Sequence, residues 1–401
     1  MLTIDRVFEA SNVLKKVVRK TDIIPAPHIG GNNNIYLKPE NLQVTGSFKI
    51  RGAYYKISKL TEEEKSHGII ASSAGNHAQG VALSAQRAGV PCIICMPDGA
   101  PISKVEATKS YGAEVCLVEG VYDDSYAKAM ELSKEKGYTF IHPYDDEDVI
   151  AGQGTIALEI LEQLDDVDAI VVPIGGGGLI SGVAYTAKCL KPSIKVYGVQ
   201  AANAASMYES IKQGEQLTLP TVNTFADGIA VKHPGDNTFE IVKKYVDEII
   251  TVSEDEIAAA ILRLMEKQRI VAEGAGAVSV AAAIFDKLPI QGKNVVCVVS
   301  GGNIDVNIID RVMTRGLLLS GRKTSFTIAL TDKPGQLVGV AKVIADNGGN
   351  VVSVSYDNAD PEMEIVSCFI KITVETRNHA HIEQIRNELT RNGFKVVNER
   401  V

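Results

Sequence analysis

Three stretches of this chain repeat one pattern, in which an uninterrupted apolar run meets a cluster of small residues and then passes into helical spacing. The first runs from Gly68 to Gly80 (Gly-Ile-Ile-Ala-Ser-Ser-Ala-Gly-Asn-His-Ala-Gln-Gly) and leads into a helical period over Val81 to Ala88. The second runs from Ala169 to Gly182 and leads into Val183 to Leu190, and the third runs from Asn294 to Asn303. Valine and isoleucine runs that do not alternate with polar residues belong to strands buried on both faces, as in parallel sheets covered by helices. The predicted fold class is therefore α/β. All three small-residue turns fall at the carboxyl ends of strands, where such sheets bind ligands.

Past a short helix and a basic, loop-like stretch from Arg311 to Lys323, the pattern changes. Ser325 to Leu330 alternates as a half-buried strand, Asp332 to Gly335 is a turn, Gln336 to Asn347 has helical spacing, and Asn350 to Tyr356 alternates again. An acidic turn at Asp360 to Glu362 precedes a strand from Ile365 to Val374, a helix from His381 to Asn392 and a strand from Phe394 to Val397. The order βαββαβ is the ferredoxin-like motif, with a domain boundary expected near residue 321.

Composition narrows the partners. At 401 residues the chain exceeds the size of one core, and 45% hydrophobic with 22% charged residues is an ordinary globular balance. A net charge of -8 without a basic, aromatic-interleaved stripe argues against nucleic acid. Val271 to Phe285 is too short and too rich in small residues to span a bilayer and reads as a closely packed buried helix. No membrane or export segment is expected. Most of the six cysteines sit in apolar, strand-like runs, which suits a reducing cytoplasm.

The tetraglycine Gly175, Gly176, Gly177 and Gly178 follows a buried strand and opens a helix. Its bare N–H groups make an anion site, with phosphate the natural occupant. Neither a dinucleotide fingerprint in register nor a Gly-Lys-Ser/Thr P-loop is present. Close helix-to-sheet packing is the bland alternative, though it needs one glycine rather than four. Lys49 lies between Phe48 and Ile50. A lone lysine is usually a solvated charge, but a desolvated one has a lowered pKa and becomes a nucleophile toward aldehydes. A lysine together with a phosphate cradle suggests pyridoxal phosphate.

The segments Gly46 to Gly52 (Gly-Ser-Phe-Lys-Ile-Arg-Gly), Ser72 to Gly80, Gly175 to Leu179 and Ser300 to Asn303 resemble, in order and spacing, the tryptophan-synthase-β-like pyridoxal phosphate enzymes. Within them the chain resembles the threonine ammonia-lyases, or threonine dehydratases, with the serine racemases close by. The resemblance implies a two-subdomain parallel-sheet catalytic domain over 1–320, its small subdomain roughly 50–145, and an ACT-like regulatory domain over 321–401. It implies that Lys49 binds the cofactor aldehyde covalently and then takes the substrate's Cα proton. Phe48 would pack beside the cofactor and Asn76 would hydrogen-bond its 3′ oxygen. The loop of Ser73, Ala74, Gly75, Asn76 and His77 would hold the substrate carboxylate. Gly175 to Gly178 with Leu179 would cradle the phosphate, and Ser300 would face the pyridine nitrogen. A hydroxyl there leaves the ring a weaker electron sink than an Asp would, which favours loss of a β-hydroxyl over transamination. The implied reaction turns L-threonine into 2-oxobutanoate and ammonia, in isoleucine biosynthesis or threonine catabolism, in a homodimer or homotetramer. L-serine would give pyruvate as a secondary activity, because one methyl discriminates by only ~1–3 kcal/mol.

Departures from the racemases matter. Racemisation needs an acid or base on the second face of the substrate, and the serine that the resemblance would place there is Ala74. The segment matching the racemase metal site carries Gln200, Ala204 and Ser206, without a carboxylate, so no metal is expected. A serine-preferring dehydratase or a serine racemase remains the alternative. A non-catalytic amino-acid sensor is a further one, against which Lys49 and the intact loops argue. Cys92 and Cys95 read as inert and buried, and His379 and His381 as capping or preceding the last helix. Glu273 either approaches the cofactor ring or pairs with a base. In the ACT-like tail an amino-acid effector is expected at Asp332, Gly335, Leu337 and Asn350.

Overall fold

Each apolar run becomes a strand. The computed structural model describes residues 2–357 and 366–397, in two units, 1–305 and 306–401. The first unit holds β1 (Ile24–Pro25), β2 (Asn34–Pro39), β3 (Ile69–Ser72), β4 (Cys92–Pro97), β5 (Glu114–Val118), β6 (Thr139–Phe140), β7 (Ala169–Pro173), β8 (Lys195–Ala201), β9 (Glu248–Val252) and β10 (Asn294–Val299). One sheet has the order β1-β2-β10-β7-β8-β9 and is parallel except at β1; the other, β5-β4-β3-β6, is wholly parallel. Every residue of β3 and β7 is buried, as non-alternating runs require. Ile170, Val172, Val296 and Val298 pack with Ile180 and Phe239 in the larger core, and Ile69, Ala71 and Ile94 with Ala78 and Ala82 in the smaller.

The helices after β3 and β7 begin earlier than their apolar spacing predicts, at Asn76 (Asn76–Ala88) rather than Val81 and at Gly178 (Gly178–Leu190) rather than Val183. The first turn of the helix from Asn76 is made of small and polar residues, which carry no apolar period, and in the helix from Gly178 only Leu179 and Ile180 are large and apolar before Val183. The turns Ser73–Gly75 and Ser300–Asn303 follow β3 and β10 directly, and Gly175–Gly177 follows β7 after Ile174, all at strand carboxyl ends. The small-residue stretch after Val271 forms the buried helix Gly274–Ile284. Cys92, Cys95 and Cys297 are buried, and burial pushes each thiol up to about 12, which leaves them unreactive.

The second unit opens with the helix Val306–Leu319, followed by β11 (Lys323–Thr331), the helix Gln336–Asp346, β12 (Asn350–Asp357), β13 (Ser367–Glu375), the helix His379–Arg391 and β14 (Lys395–Val397). The sheet is antiparallel, in the order β12-β13-β11-β14, which is the ferredoxin-like arrangement. Phe326, Ile328 and Leu330 alternate inward and meet Ile370 and Ile372 in its core. The division falls at 305/306 rather than near 321, because the chain around 321 is built into this unit: Thr376 donates through its hydroxyl to the Gly321 carbonyl and through its N–H to that of Arg322. The predicted turn at Asp360 to Glu362 and the strand start at Ile365 lie outside the described residues. His379 and His381 do not precede the last helix; they form its first turn, and the Asn378 side chain caps it by accepting from the His381 N–H. Among the described residues no helix is long and apolar enough to cross a membrane.

Candidate active site

Lys49 begins the helix Lys49–Ser58, directly after a turn stitched to the strand β10 exit. Ser47 bridges Gly301, and the Phe48 N–H donates to the Ser300 carbonyl at 3.1 Å. This fixes the lysine over a cavity of about 660 Å³ that is also lined by Asn76, Gly175–Gly178, Glu273 and Ser300. Lys49 Nζ donates to the Pro143 carbonyl at 2.7 Å and lies 5.4 Å from the centre of the Phe48 ring. Burial pushes its pKa down to about 8, with Glu273 pulling the other way, so a sizeable neutral fraction exists near neutral pH.

The glycine-rich turn is built by exclusion. A Cβ on Gly177 would come within 2.7 Å of Thr238 Cβ, and one on Gly178 within 2.8 Å of Tyr144 Cα; one on Gly176 would overlap the Tyr144 ring. Gly177 also has φ +102, a backbone region that other residues rarely adopt. Thr238 Oγ1 holds the turn from behind by donating to the Gly176 carbonyl at 2.6 Å. The helix that follows has no side-chain cap, so its first N–H groups are left for an anion.

On the small-subdomain side, β3 delivers Ser73–Gly75 to the second uncapped helix start at the cavity. The Gly75 N–H is taken by Ser73 Oγ at 3.1 Å. His77 also lines the cavity, but its Nε2 donates to the Ile141 carbonyl at 2.9 Å, and burial with the Lys49 charge holds its pKa at about 3. His77 is therefore a neutral structural histidine rather than an acid or base. Asn76 Nδ2 donates to Glu273 Oε1 at 2.6 Å. Glu273 is 4% exposed, and burial together with the Asp227 charge raises its pKa to about 7. Its hydrogen-bond partner is an amide rather than a base, and Glu273 itself lines the cavity.

The donor set fits pyridoxal phosphate: an amine of lowered pKa for the aldehyde, an uncapped glycine-rich helix start for the phosphate, and the Ser300 hydroxyl, 2% exposed, for a pyridine nitrogen. Phe48, Leu179 and Ala74 line the same cavity. Gln200, Ala204 and Ser206 are committed elsewhere: Gln200 accepts from the Tyr208 N–H and donates to the Ala204 carbonyl, and Ser206 donates to the Val231 carbonyl. Sequence reasoning missed Pro143, Tyr144 and Thr238, whose roles depend on contacts between distant segments and leave no local signal.

In the second unit a cavity of about 340 Å³ is lined by Gly335, Gln336, Gly339 and Asn392 among others, and of the four expected effector residues only Gly335 reaches it. Asp332 accepts from the Tyr356 hydroxyl at 2.8 Å, and Asn350 donates to Glu375 at 2.8 Å.

Residues 14–301 match the family model described as pyridoxal-phosphate dependent enzyme. The chain is 49% identical over 400 residues to an L-threonine ammonia-lyase of Thermotoga maritima, covering 99% of each. Among solved structures it is similar to the processed form of threonine deaminase isoform 2 from Solanum lycopersicum, with TM-score 0.74 and 38% identity over 78% of this chain and 89% of that one. It is also similar to maize serine racemase, with TM-score 0.74 and 35% identity over 79% of this chain and 98% of that one.

Proposed function

The chain belongs to the pyridoxal-phosphate dependent enzyme family, and on that premise we propose that it is a threonine ammonia-lyase converting L-threonine to 2-oxobutanoate and ammonia, with L-serine to pyruvate as a secondary reaction. The observation that carries this is the meeting of the Lys49 amine, the glycine-rich helix start and Ser300 in one cavity. When bound, the cofactor supplies an electron sink for the negative charge that develops at the substrate's Cα.

Lys49 would hold the cofactor through its aldehyde and, once the substrate's amine has taken its place, the freed neutral Nζ would take the Cα proton; a pKa of about 8 suits a base working near neutral pH. The helix start at Ser73–Asn76 receives the substrate carboxylate, and Gly175–Leu179 hold the phosphate. Ser300 offers the pyridine nitrogen a neutral hydroxyl. His77, tied to Ile141, does not compete for the proton. Phe48 and Tyr144 wall the cavity against water. The β-hydroxyl leaves with one proton as water, balancing the proton removed from Cα; the resulting enamine tautomerises to an imine, which adds water to give the 2-oxo acid and ammonia.

The second unit is proposed as an ACT-like regulatory domain whose amino-acid effector uses the cavity beside Gly335, in a cytoplasmic homodimer or homotetramer. The test of the main reading is direct. The purified protein should release 2-oxobutanoate from L-threonine, and borohydride reduction with peptide mapping should label Lys49. A label on another lysine, or no 2-oxo acid, would sink it.

A further inference from the structure

Asn303 closes the turn after β10 and has no role in the chemistry described so far. Its amide nitrogen donates twice, to the Thr45 carbonyl at 2.8 Å and to Asn76 Oδ1 at 2.7 Å. A backbone carbonyl only accepts, so the atom that faces Thr45 must be nitrogen, and the Asn303 amide has one permitted orientation. Its second hydrogen then demands an acceptor from Asn76, which turns Asn76 Oδ1 toward Asn303 and leaves Asn76 Nδ2 pointing the other way, to Glu273. The sense of the whole chain from Thr45 to Glu273 is thus set by one main-chain carbonyl.

Two glycines make room for it. A Cβ on Gly46 would come within 2.5 Å of Asn303 Oδ1, and one on Gly301 would overlap Glu273 and come within 3.1 Å of Asn76 Nδ2. The chain also joins three motifs that the sequence presents separately: the lysine turn through Thr45, the start of the helix Asn76–Ala88, and the exit of β10.

We infer that Asn303 is a positioning residue that keys the Asn76 amide, so that Asn76 offers the bound cofactor's ring oxygen an N–H donor rather than a carbonyl. This role rests on the function proposed above. A donor held at that place favours the oxygen's ionised form. In Asn303→Asp the carboxylate cannot donate, so Asn76 turns over to donate toward it, and its carbonyl replaces its N–H on the other side.

The experiment is a pH titration of the holoenzyme's visible absorption band, with threonine turnover measured alongside. Asn303→Asp should shift the apparent pKa of the band upward by about one unit or more. It should also lower turnover roughly tenfold. Asn303→Ala, which frees Asn76 without inverting it, should shift the band less and keeps the test open if the aspartate variant does not fold. Asn76→Ala should shift the band by itself, and Asn303→Ala should add nothing in that background, because the effect runs through Asn76. Titrations of both Asn303 variants that overlay the unaltered protein, or an undiminished shift in the Asn76→Ala background, would overturn the assignment. An unaltered protein with no visible band at all would instead overturn the functional reading, and the assignment with it.

Discussion

Arg51 grips Glu40 with two parallel hydrogen bonds, Nε to Oε2 at 2.7 Å and Nη2 to Oε1 at 2.8 Å, and neither side chain is exposed to solvent. Arg51 also donates to Glu159, which accepts from Lys38 at 2.6 Å, so two cations and two carboxylates balance beneath the helix that carries Lys49. Burial alone would push the Glu40 carboxyl up, but the charge and hydrogen bonds of Arg51, together with Lys38 and Thr21, outweigh it and hold the group below its usual range. Removing one member leaves an uncompensated buried charge. Arg51→Met should therefore lose about 3–5 kcal/mol of stability in urea titration. Arg51→Lys should fall between, because an ammonium cannot reproduce the fork. An unshifted midpoint for Arg51→Met would show that the network does not anchor the helix.

The lowered pKa of Lys49 is accessible in cofactor-free protein. Only the neutral amine attacks an aldehyde, so the rate of covalent attachment of pyridoxal phosphate should rise with pH through about 8, well below the ordinary lysine range. Glu273 holds the ammonium form in place, and Glu273→Gln should move the midpoint lower still. A midpoint above 10, followed by absorbance after rapid mixing, would show that Lys49 is solvated.

His77 makes an acid-sensitive element. Its folded pKa of about 3 lies below the unfolded value, so on acidification the unfolded chain takes up a proton that the folded one refuses. Stability should fall as pH drops from about 6.5 toward 3, by about 2 kcal/mol at pH 5 from this group. His77→Gln should narrow the gap between denaturation midpoints at pH 7 and pH 5; an unchanged gap would assign the acid sensitivity elsewhere.

Ala74 lines the cavity with a methyl group that cannot transfer a proton. Long incubation with L-serine should yield pyruvate without D-serine, as read by chiral chromatography. D-serine accumulating beside pyruvate would mean that another group reaches the substrate's second face.

In the second unit, Gln336 lines the cavity and Asn350 does not. Gln336→Ala should weaken any response to branched-chain amino acids severalfold while sparing uninhibited turnover, within the ~1–3 kcal/mol typical of allosteric coupling. Asn350→Ala should leave the response intact, and the reverse ranking would return the effector site to the start of β12.

By itself the sequence determined what local physics encodes. Non-alternating Val and Ile runs marked β3, β7 and β10, alternation marked the tail's strands, and four glycines after β7 marked an anion-binding helix start. Lys49 was legible for a related reason: its flanking Phe48 and Ile50 announce desolvation within a few residues. Only the tertiary structure decided what holds those pieces at working distance. Asn76 meets Glu273 across 197 positions and Asn303 across 227. It also set Gly335 at a cavity and gave the side chains of Asp332 and Asn350 partners in Tyr356 and Glu375. A hydrogen bond between side chains from distant segments costs neither of them any local conformational preference. Such bonds therefore leave no periodicity or composition to read, and they exist only once the core has brought the loops together.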